Sequence, residues 1–278
     1  MSNVDRAVVQ AFGQEWTKFN QSEVTPGELQ AGFELYFAIF PWSELPAAAV
    51  GFDLGCGSGR WACFVAPRAG QLHCIDASPA ALEVARQNLR GCNNCDFYCA
   101  SAEAIPLPDR SADFGYSLGV LHHVPDTQKG IAECVRKLKP GAPFLLYLYY
   151  AFDNRPWWFR MLWRISDVLR RLISNLPFAI RSRLCEVIAA VVYWPLARIS
   201  RILEGLGGNV FHLPLSAYRE RSFYAMRTDA LDRFGTRLEK RFTRQQMEAM
   251  MLKAGLERIT FSDTAFWCAV GYRIRKAA

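Results

Sequence analysis

Strand-like and helix-like patterns of apolar residues alternate between positions 48 and 150. Short continuous apolar runs predict strands that are buried on both faces of a sheet, and helix-like segments lie between them. This alternation is typical of a parallel sheet with helices on both faces. We expect strands at 48–53, 71–76, 96–100, 113–121 and 144–150, and helices at 58–69, from Ser78 onward and at 128–138.

The pattern changes after Tyr150. Residues 154–203 form a run of amphipathic segments rich in tryptophan and arginine, which predicts several helices rather than a further strand. A polar connection, a helix near 243–254 and two strand-like stretches at 257–262 and 266–275 follow. We therefore expect a helical insertion after the fifth strand, and the remaining strands of the sheet in the last part of the chain.

A glycine-rich turn follows the first predicted strand, in the sequence AAVGFDLGCGSGRW at 48–61. Gly55 and Gly57 fit the dinucleotide-binding pattern G-x-G-x-x-G, but Arg60 stands where the third glycine allows helix and strand to pack closely. The phosphate-binding pattern G-x-x-x-x-G-K-[S/T] is absent. A tight G-x-G-x-G turn instead brings the backbone close to a ligand without an anion on a helix N-terminus.

Asp76 ends the second predicted strand, where an acidic side chain can accept hydrogen bonds from two ribose hydroxyls. The ligand is therefore expected to carry a ribose but no pyrophosphate. S-adenosylmethionine meets both conditions.

Five motifs in order resemble those of class I S-adenosylmethionine-dependent methyltransferases: FDLGCGSG, CIDAS, the stretch SAEAIPLPD at 101–109, SLGVLHHVPD and LKPGAPFLL. They are most similar to the small-molecule enzymes that include the ubiquinone-pathway methyltransferases. The resemblance covers 48–150 strongly and 242–276 more weakly. It implies an α/β, Rossmann-like three-layer sandwich whose seven-stranded, mostly parallel sheet carries the helical insertion after strand five.

The resemblance also implies a domain organisation and a set of cofactor contacts. We expect an amino-terminal helical lid at 1–45, a methyltransferase core at 46–150 and 242–278, and an insertion at 151–241 that caps the substrate. Ser101 departs from the family, which often has aspartate there, so the adenine would meet a hydroxyl without charge. The residues expected at the cofactor, which would leave as S-adenosylhomocysteine, are Asp53, Gly55, Cys56, Gly57, Asp76, Ala77, Ser101, Ala102, Leu118 and Gly119.

Methyl transfer from a sulfonium depends mainly on in-line positioning of the acceptor, with a base where a proton must leave. His122 and His123 follow the fourth predicted strand, at the edge where open α/β sheets bind ligands, and either is a candidate base. Two adjacent side chains are expected to face in different directions. The candidate substrate contacts are Trp16, Tyr149, Tyr150, Tyr218 and Arg219.

Charge is distributed unevenly along the chain. Residues 1–150 hold 11 Lys/Arg and 15 Asp/Glu, whereas residues 151–278 hold 22 and 11. The excess of arginine at 154–203, together with its tryptophans, suits the surface of an anionic membrane. A helical lid or a homodimer interface would explain the same residues, so both alternatives stay open.

Composition narrows the remaining possibilities. No apolar run is long enough to span a bilayer, and the first residues lack the features of a signal peptide. Nine scattered cysteines suit reduced thiols in a cytoplasmic protein, and the single C-x-x-C at 92–95 does not predict a metal site.

The expected function is methylation of a small or lipid-like molecule on oxygen, carbon or nitrogen. Nucleic acid is not an expected partner, because the signature of base-amino methylation and any recognisable RNA-binding module are missing. The alternatives are an RNA methyltransferase and a non-catalytic, cofactor-binding scaffold protein. A nicotinamide-dependent oxidoreductase is disfavoured by Arg60.

Overall fold

The computed structural model describes residues 3–264 and 266–275. Its strands form one seven-stranded sheet in the order β3-β2-β1-β4-β5-β7-β6. Only β7 is antiparallel to its neighbours, β5 and β6. The strands are β1 Val50–Leu54, β2 Gln71–Asp76, β3 Cys95–Cys99, β4 Phe114–Leu118, β5 Pro143–Tyr147, β6 Leu256–Phe261 and β7 Cys268–Arg273. The predicted fold class is confirmed.

Contacts between Cα atoms divide the chain into two compact units. The first unit comprises residues 1–20, 30–151 and 238–278 and contains the sheet. The second comprises residues 21–29 and 152–237 and is helical. The helices of the first unit are α1 Arg6–Lys18, α2 Pro26–Phe37, α3 Ala62–Val65, α4 Pro79–Asn88, α5 Thr127–Lys137 and α10 Arg244–Lys253. The first residues of α2 belong to the second unit.

Apolar side chains cover both faces of the sheet in the first unit. Along β5, Leu145 and Tyr147 belong to one buried cluster, while Phe144 and Leu146 belong to the other. This alternation follows from the two-residue period of a strand. A central strand with both faces buried reads in sequence as a continuous apolar run, which is why these strands could be recognised.

One expected helix is wrong. A helix over 58–69 is predicted from sequence, but α3 begins only at Ala62 and gives way to a 3-10 turn at Ala66–Arg68. Gly57 and Gly59 have φ of +54° and +75°, so the chain is in left-handed conformations where the helix was expected to start. Pro67 lacks the N–H that a longer helix would require.

The second unit contains four α-helices and short turns. α6 is Trp157–Ile173, α7 is Phe178–Ile188, α8 is Trp194–Gly205 and α9 is Phe223–Gly235. A π-helical turn at Ala189–Tyr193 joins α7 directly to α8. Pro195 near the start of α8 has no N–H to donate, which favours the wider turn. α6 and α7 both pack against α9.

Candidate active site

The glycine turn after β1 is held by hydrogen bonds from its own backbone. The N–H groups of Gly55 and Cys56 donate to the Ile75 carbonyl, at 2.7 and 3.1 Å. Gly55 and Gly57 have φ of +79° and +54°, a region that L side chains rarely adopt. A Cβ on Gly55 would also lie 2.2 Å from Val120. The turn therefore needs glycine for both conformation and space.

Asp76 is tied to this turn and to the next helix. Its Oδ2 accepts a hydrogen bond from the Gly57 N–H at 2.9 Å, and its Oδ1 accepts one from the Ser78 N–H at 2.8 Å. Burial raises the pKa of Asp76, although the Ser78 and Gly57 N–H groups lower it. Each carboxylate oxygen can accept a second hydrogen bond, so ribose hydroxyls can still be bound there.

Asp53 is the next-to-last residue of β1, and one of its carboxylate oxygens is unsatisfied. It is 2% exposed, and its Oδ2 atom has no hydrogen-bond partner. Burial raises its pKa to about 8. A buried, unsatisfied carboxyl group costs free energy unless a ligand donates to it or brings a positive charge. This side chain is therefore suited to a cationic ligand.

The end of β4 offers room beside the backbone. Gly119 has φ of +78°, and a Cβ placed on it would meet no atom within 4 Å. Its neighbour Leu118 is buried. Ser101 is half-buried and lies in a turn closed by the Ala104 N–H on the Ser101 carbonyl, and Ala102 is buried. Ala77 is half-buried just after Asp76.

Helix α1 covers both the glycine turn and the histidine pair. A Cβ on Gly57 would lie 2.9 Å from the Trp16 Nε1 atom, so the indole lies directly over the turn. Phe12, one helical turn earlier, packs against His123 with ring centroids 4.9 Å apart. The Arg60 guanidinium lies over the rings of Trp16 and Trp61, at 5.5 and 4.6 Å.

His122 and His123 pack against each other, with ring centroids 4.0 Å apart. The expectation that they face apart is wrong, because the 3-10 turn Leu121–His123 brings the two rings together. His122 is fully buried, and neither ring nitrogen has a hydrogen-bond partner. Burial holds its pKa well below the usual value, so the ring is neutral. Tyr149 stacks on it at 3.8 Å.

His123 has an orienting contact. Its Nδ1 atom lies 2.6 Å from the Leu238 carbonyl oxygen. A carbonyl oxygen only accepts, so Nδ1 carries the proton and donates it. In the neutral ring the lone pair is then on Nε2, which is the form that a general base requires.

A segment that sequence analysis missed runs beside the histidines. The Lys240 N–H donates to the His122 carbonyl at 3.1 Å, and the Arg241 guanidinium lies 5.0 Å from the Tyr149 ring. Arg241 donates to Glu239 Oε1 at 2.8 Å, and the Glu239 side chain is almost fully buried. More than 110 positions separate these residues from the histidines, so no local pattern could have indicated the contact.

The other candidate substrate residues lie in different environments. Tyr150 follows β5 and packs against Trp267, with ring centroids 5.9 Å apart. Tyr218 and Arg219 belong to the second unit. There Tyr218 packs against Tyr193, and Arg219 donates to Glu204 at 2.5 Å.

Among the described residues, no group of three or more His, Cys, Asp or Glu side chains could hold a metal ion. The nine cysteines are all free thiols in this structure.

Residues 52–146 match the family described as "Methyltransferase domain". YcgJ, an uncharacterized methyltransferase of Bacillus subtilis, is 34% identical over 37% of this chain and 41% of its own length. A ubiquinone biosynthesis O-methyltransferase of Thiobacillus denitrificans is 32% identical over 56% of this chain and 66% of its own length. The chain thus spans less than two thirds of the length of both relatives.

Solved structures support the fold over nearly the whole chain. A chain of the Haloferax volcanii complex between the Trm112 methyltransferase activator and a methyltransferase has a TM-score of 0.54 and 14% identity, covering 95% of this chain and 98% of that one. A Thermotoga maritima methyltransferase has a TM-score of 0.51 and 15% identity, and the match covers 94% of this chain and 99% of that one. These likenesses show a methyltransferase fold over nearly the whole chain. Residues 52–146 are the part that matches a methyltransferase domain in sequence.

Proposed function

We propose that this protein binds S-adenosylmethionine and transfers its methyl group to a small or lipid-like molecule. The observation that carries the proposal is the buried Asp53 carboxyl group, whose Oδ2 atom has no hydrogen-bond partner, next to the glycine turn in the residues that match a methyltransferase domain. The cofactor brings an ammonium group and a sulfonium, and a positive charge near Asp53 would favour the ionised carboxylate.

The cofactor contacts of this proposal follow the strand ends. Asp53 and the Gly55–Gly57 turn, with Cys56 between the glycines, would take the methionine part. Asp76 would bind the ribose hydroxyls, with Ala77, Ser101 and Ala102 at the adenine. Leu118 and the open backbone at Gly119 would face the amino group. The structure of the turn fits such a ligand because the Gly57 and Ser78 N–H groups already orient the Asp76 carboxylate.

A second part of the proposal concerns the proton of the acceptor. His123 would act as the general base through Nε2, because its Nδ1–H is held by the Leu238 carbonyl. His122 is neutral and buried beside it, so it would shape the site without charge. Trp16 and Tyr149 would line the acceptor's position in the first unit. Tyr150, Tyr218 and Arg219 remain candidate substrate contacts.

The acceptor class rests on the relatives. Their names describe methylation of ubiquinone precursors, of malonyl-[acyl-carrier protein] and, in a Caenorhabditis elegans relative, of a sterol at a carbon atom. All three substrate types are small or lipid-like.

A cytoplasmic protein that touches a membrane through 154–203 would reach such substrates. We also propose that the protein forms a homodimer. No helix within 3–264 or 266–275 is long and apolar enough to cross a bilayer.

Cofactor binding is the first test. We expect S-adenosylmethionine to bind the wild-type protein in isothermal titration calorimetry. Asp76→Ala should weaken binding about tenfold to a hundredfold, because hydrogen bonds to a charged group contribute about 1.5–3 kcal/mol. The matched control is Asp96→Ala, which removes a half-exposed carboxylate from the neighbouring strand β3. Equal affinities of the wild type and Asp76→Ala would refute the assignment of the ribose site.

Methyl transfer is the second measurement. The protein is incubated with methyl-labelled S-adenosylmethionine and a metabolite and lipid extract, and the labelled product is identified. Label in a small or lipid-like product supports the proposal. Label in RNA would favour an RNA methyltransferase, and cofactor binding without any transfer would favour a scaffold protein.

A further inference from the structure

Helix α6 has an inverted distribution of polar and apolar side chains. Its buried positions include Asp167 and Arg170, at 7% and 4% exposure. A surface helix of a globular protein normally buries its apolar side instead. The large apolar residues of α6 that are exposed recur every three or four positions: Trp157, Trp158, Met161, Leu162, Ile165, Val168, Leu169 and Leu172.

The buried charges of α6, on Asp167 and Arg170, are partnered within the second unit. Arg170 donates to Asp167 Oδ1 at 2.6 Å and to the carbonyls of Thr236 and Arg237, at 2.8 and 3.0 Å. Arg171 reaches the second Asp167 oxygen at 3.0 Å. The orientation of α6 is therefore fixed by these polar contacts, and the exposed apolar side is a built feature of the fold.

The segment from α7 to α8 also exposes large apolar side chains, and its buried positions hold apolar residues (Cys185, Ala189, Tyr193 and Ala197) as well as polar ones. It runs without interruption from Phe178 to Gly205 through the π-helical turn. Its buried positions include the polar residues Arg181, Ser182 and Ser200. Its exposed large apolar residues are Ile180, Leu184, Val187, Val191, Val192, Trp194, Ile199, Ile202 and Leu203.

Exposed arginines accompany both apolar sides. Arg160, Arg164 and Arg171 lie on α6, Arg183 on α7 and Arg201 on α8, and all five are exposed. From 155 to 201 the chain has nine arginines and only two acidic residues, and one of those, Asp167, is buried. Cations and tryptophans around an apolar helical side are typical of helices that lie in the plane of an anionic membrane surface.

We propose that the apolar sides of α6 and of α7–α8 are a peripheral binding surface for anionic phospholipid. The apolar side chains would enter the acyl boundary, while the exposed arginines contact lipid phosphates. Both helical segments would lie in the interface and not span it, because no described helix meets the requirements for crossing a bilayer.

Charge favours lipid over a second copy of the chain as the occupant. In a two-fold dimer the same patch contacts itself, so arginines would face arginines with almost no acidic residues to pair with them. Arg171 and Arg201 are already paired with Asp167 and Glu220. Anionic phospholipid supplies the opposite charge to Arg160, Arg164 and Arg183. The surface is defined within the second unit alone, so its test needs neither the cofactor nor the methyl acceptor.

The experiment is vesicle co-sedimentation of the full chain. We expect wild-type protein to bind vesicles of phosphatidylcholine with phosphatidylglycerol at low salt, and to bind pure phosphatidylcholine vesicles or high-salt samples at least about tenfold more weakly. The triple variant Ile165→Ser/Val168→Ser/Leu172→Ser should lose about tenfold or more in binding. These side chains are 61%, 62% and 66% exposed, so their loss leaves the folded core intact.

Two matched controls separate this surface from general effects. Leu252→Ser/Ile274→Ser removes exposed apolar side chains of the first unit and should bind as the wild type does. Arg160→Glu/Arg164→Glu should weaken binding to the anionic vesicles, while Arg90→Glu/Lys253→Glu, with the same change in net charge, should weaken it much less. Circular dichroism confirms that each variant is folded.

The proposal is overturned if the wild type does not bind anionic vesicles at low salt, or if the triple serine variant binds them as well as the wild type. It is also overturned if sedimentation velocity shows a wild-type dimer that the triple serine variant converts to a monomer. That last result would assign the surface to self-association.

Discussion

Burial of the Asp53 carboxyl group lowers the stability of the folded protein but suits the group to binding a ligand. The fold buries its carboxyl group without a hydrogen-bond partner for Oδ2, and burial raises its pKa to about 8. In the absence of ligand the group therefore holds a proton near neutral pH. A stability cost of this kind is typical of a binding site.

The pH dependence of stability follows from the direction of that shift. The folded pKa is above the ordinary value of 3.8, so the folded state binds the extra proton, and stability is lost as pH rises toward about 8. Asp53→Asn removes this loss. In urea unfolding without cofactor, we expect the variant's advantage over wild type to grow with pH and reach on the order of 1–3 kcal/mol near pH 8.

Glu248→Gln is the control for that measurement, since Glu248 is exposed on α10. An advantage of Asp53→Asn that stays constant or shrinks as pH rises would show that the buried carboxyl group is not the cause.

The histidine pair makes a second residue-scale prediction, which depends on the acceptor identified by labelling. His123→Gln should lower kcat by about a hundredfold or more if the ring is the base. His122→Gln should have a smaller effect on kcat, because the His122 ring has no orienting hydrogen bond. Matching losses in the two variants, or no loss in His123→Gln, would contradict the assigned roles.

At the scale of elements, α1 joins the two halves of the candidate site. One helical turn separates Phe12, which packs on His123, from Trp16, which lies over Gly57. The helix is held at several points. The Asn3 N–H donates to Glu103 at 2.7 Å, and α1 packs along α4. It therefore forms a fixed cover over the glycine turn in this structure.

Trp16→Ala tests whether this cover retains the cofactor. If the indole shields the bound cofactor from water, the variant should release S-adenosylmethionine faster and bind it about tenfold more weakly. Trp157→Ala is a suitable control, because this tryptophan of α6 is 69% exposed. Tighter binding by Trp16→Ala would mean that the indole obstructs the site and does not close it. Stopped-flow dilution and calorimetry measure the two quantities.

At the scale of the whole molecule, the features that could be predicted from sequence are those formed by residues that are close together in the chain. The sheet, the Gly55–Gly57 turn and Asp76 were recognisable because each strand and its following loop are adjacent in the chain. The contact of Arg241 with Tyr149 joins distant segments, and no periodicity indicates it. The helix expected from Ser58 was wrong because the left-handed conformations of Gly57 and Gly59 delay it.

The same limit applies to the second unit. The sequence predicts amphipathic helices, but the period of apolar residues shows only that each helix has an apolar and a polar side. Which side of α6 is buried depends on the pairing of Arg170 with Asp167 and on the Arg170 contacts with the carbonyls at positions 236 and 237. The usual preference for burying apolar residues would have given the opposite orientation.

The tryptophan over Gly57 also has a spectroscopic consequence. The Trp16 indole lies against the turn proposed to hold the cofactor and under the Arg60 guanidinium, so its emission depends on what occupies that space. Cofactor entry can then be followed without a label as a change in intrinsic fluorescence. The chain has eight tryptophans, and subtracting the signal of Trp16→Phe isolates this one.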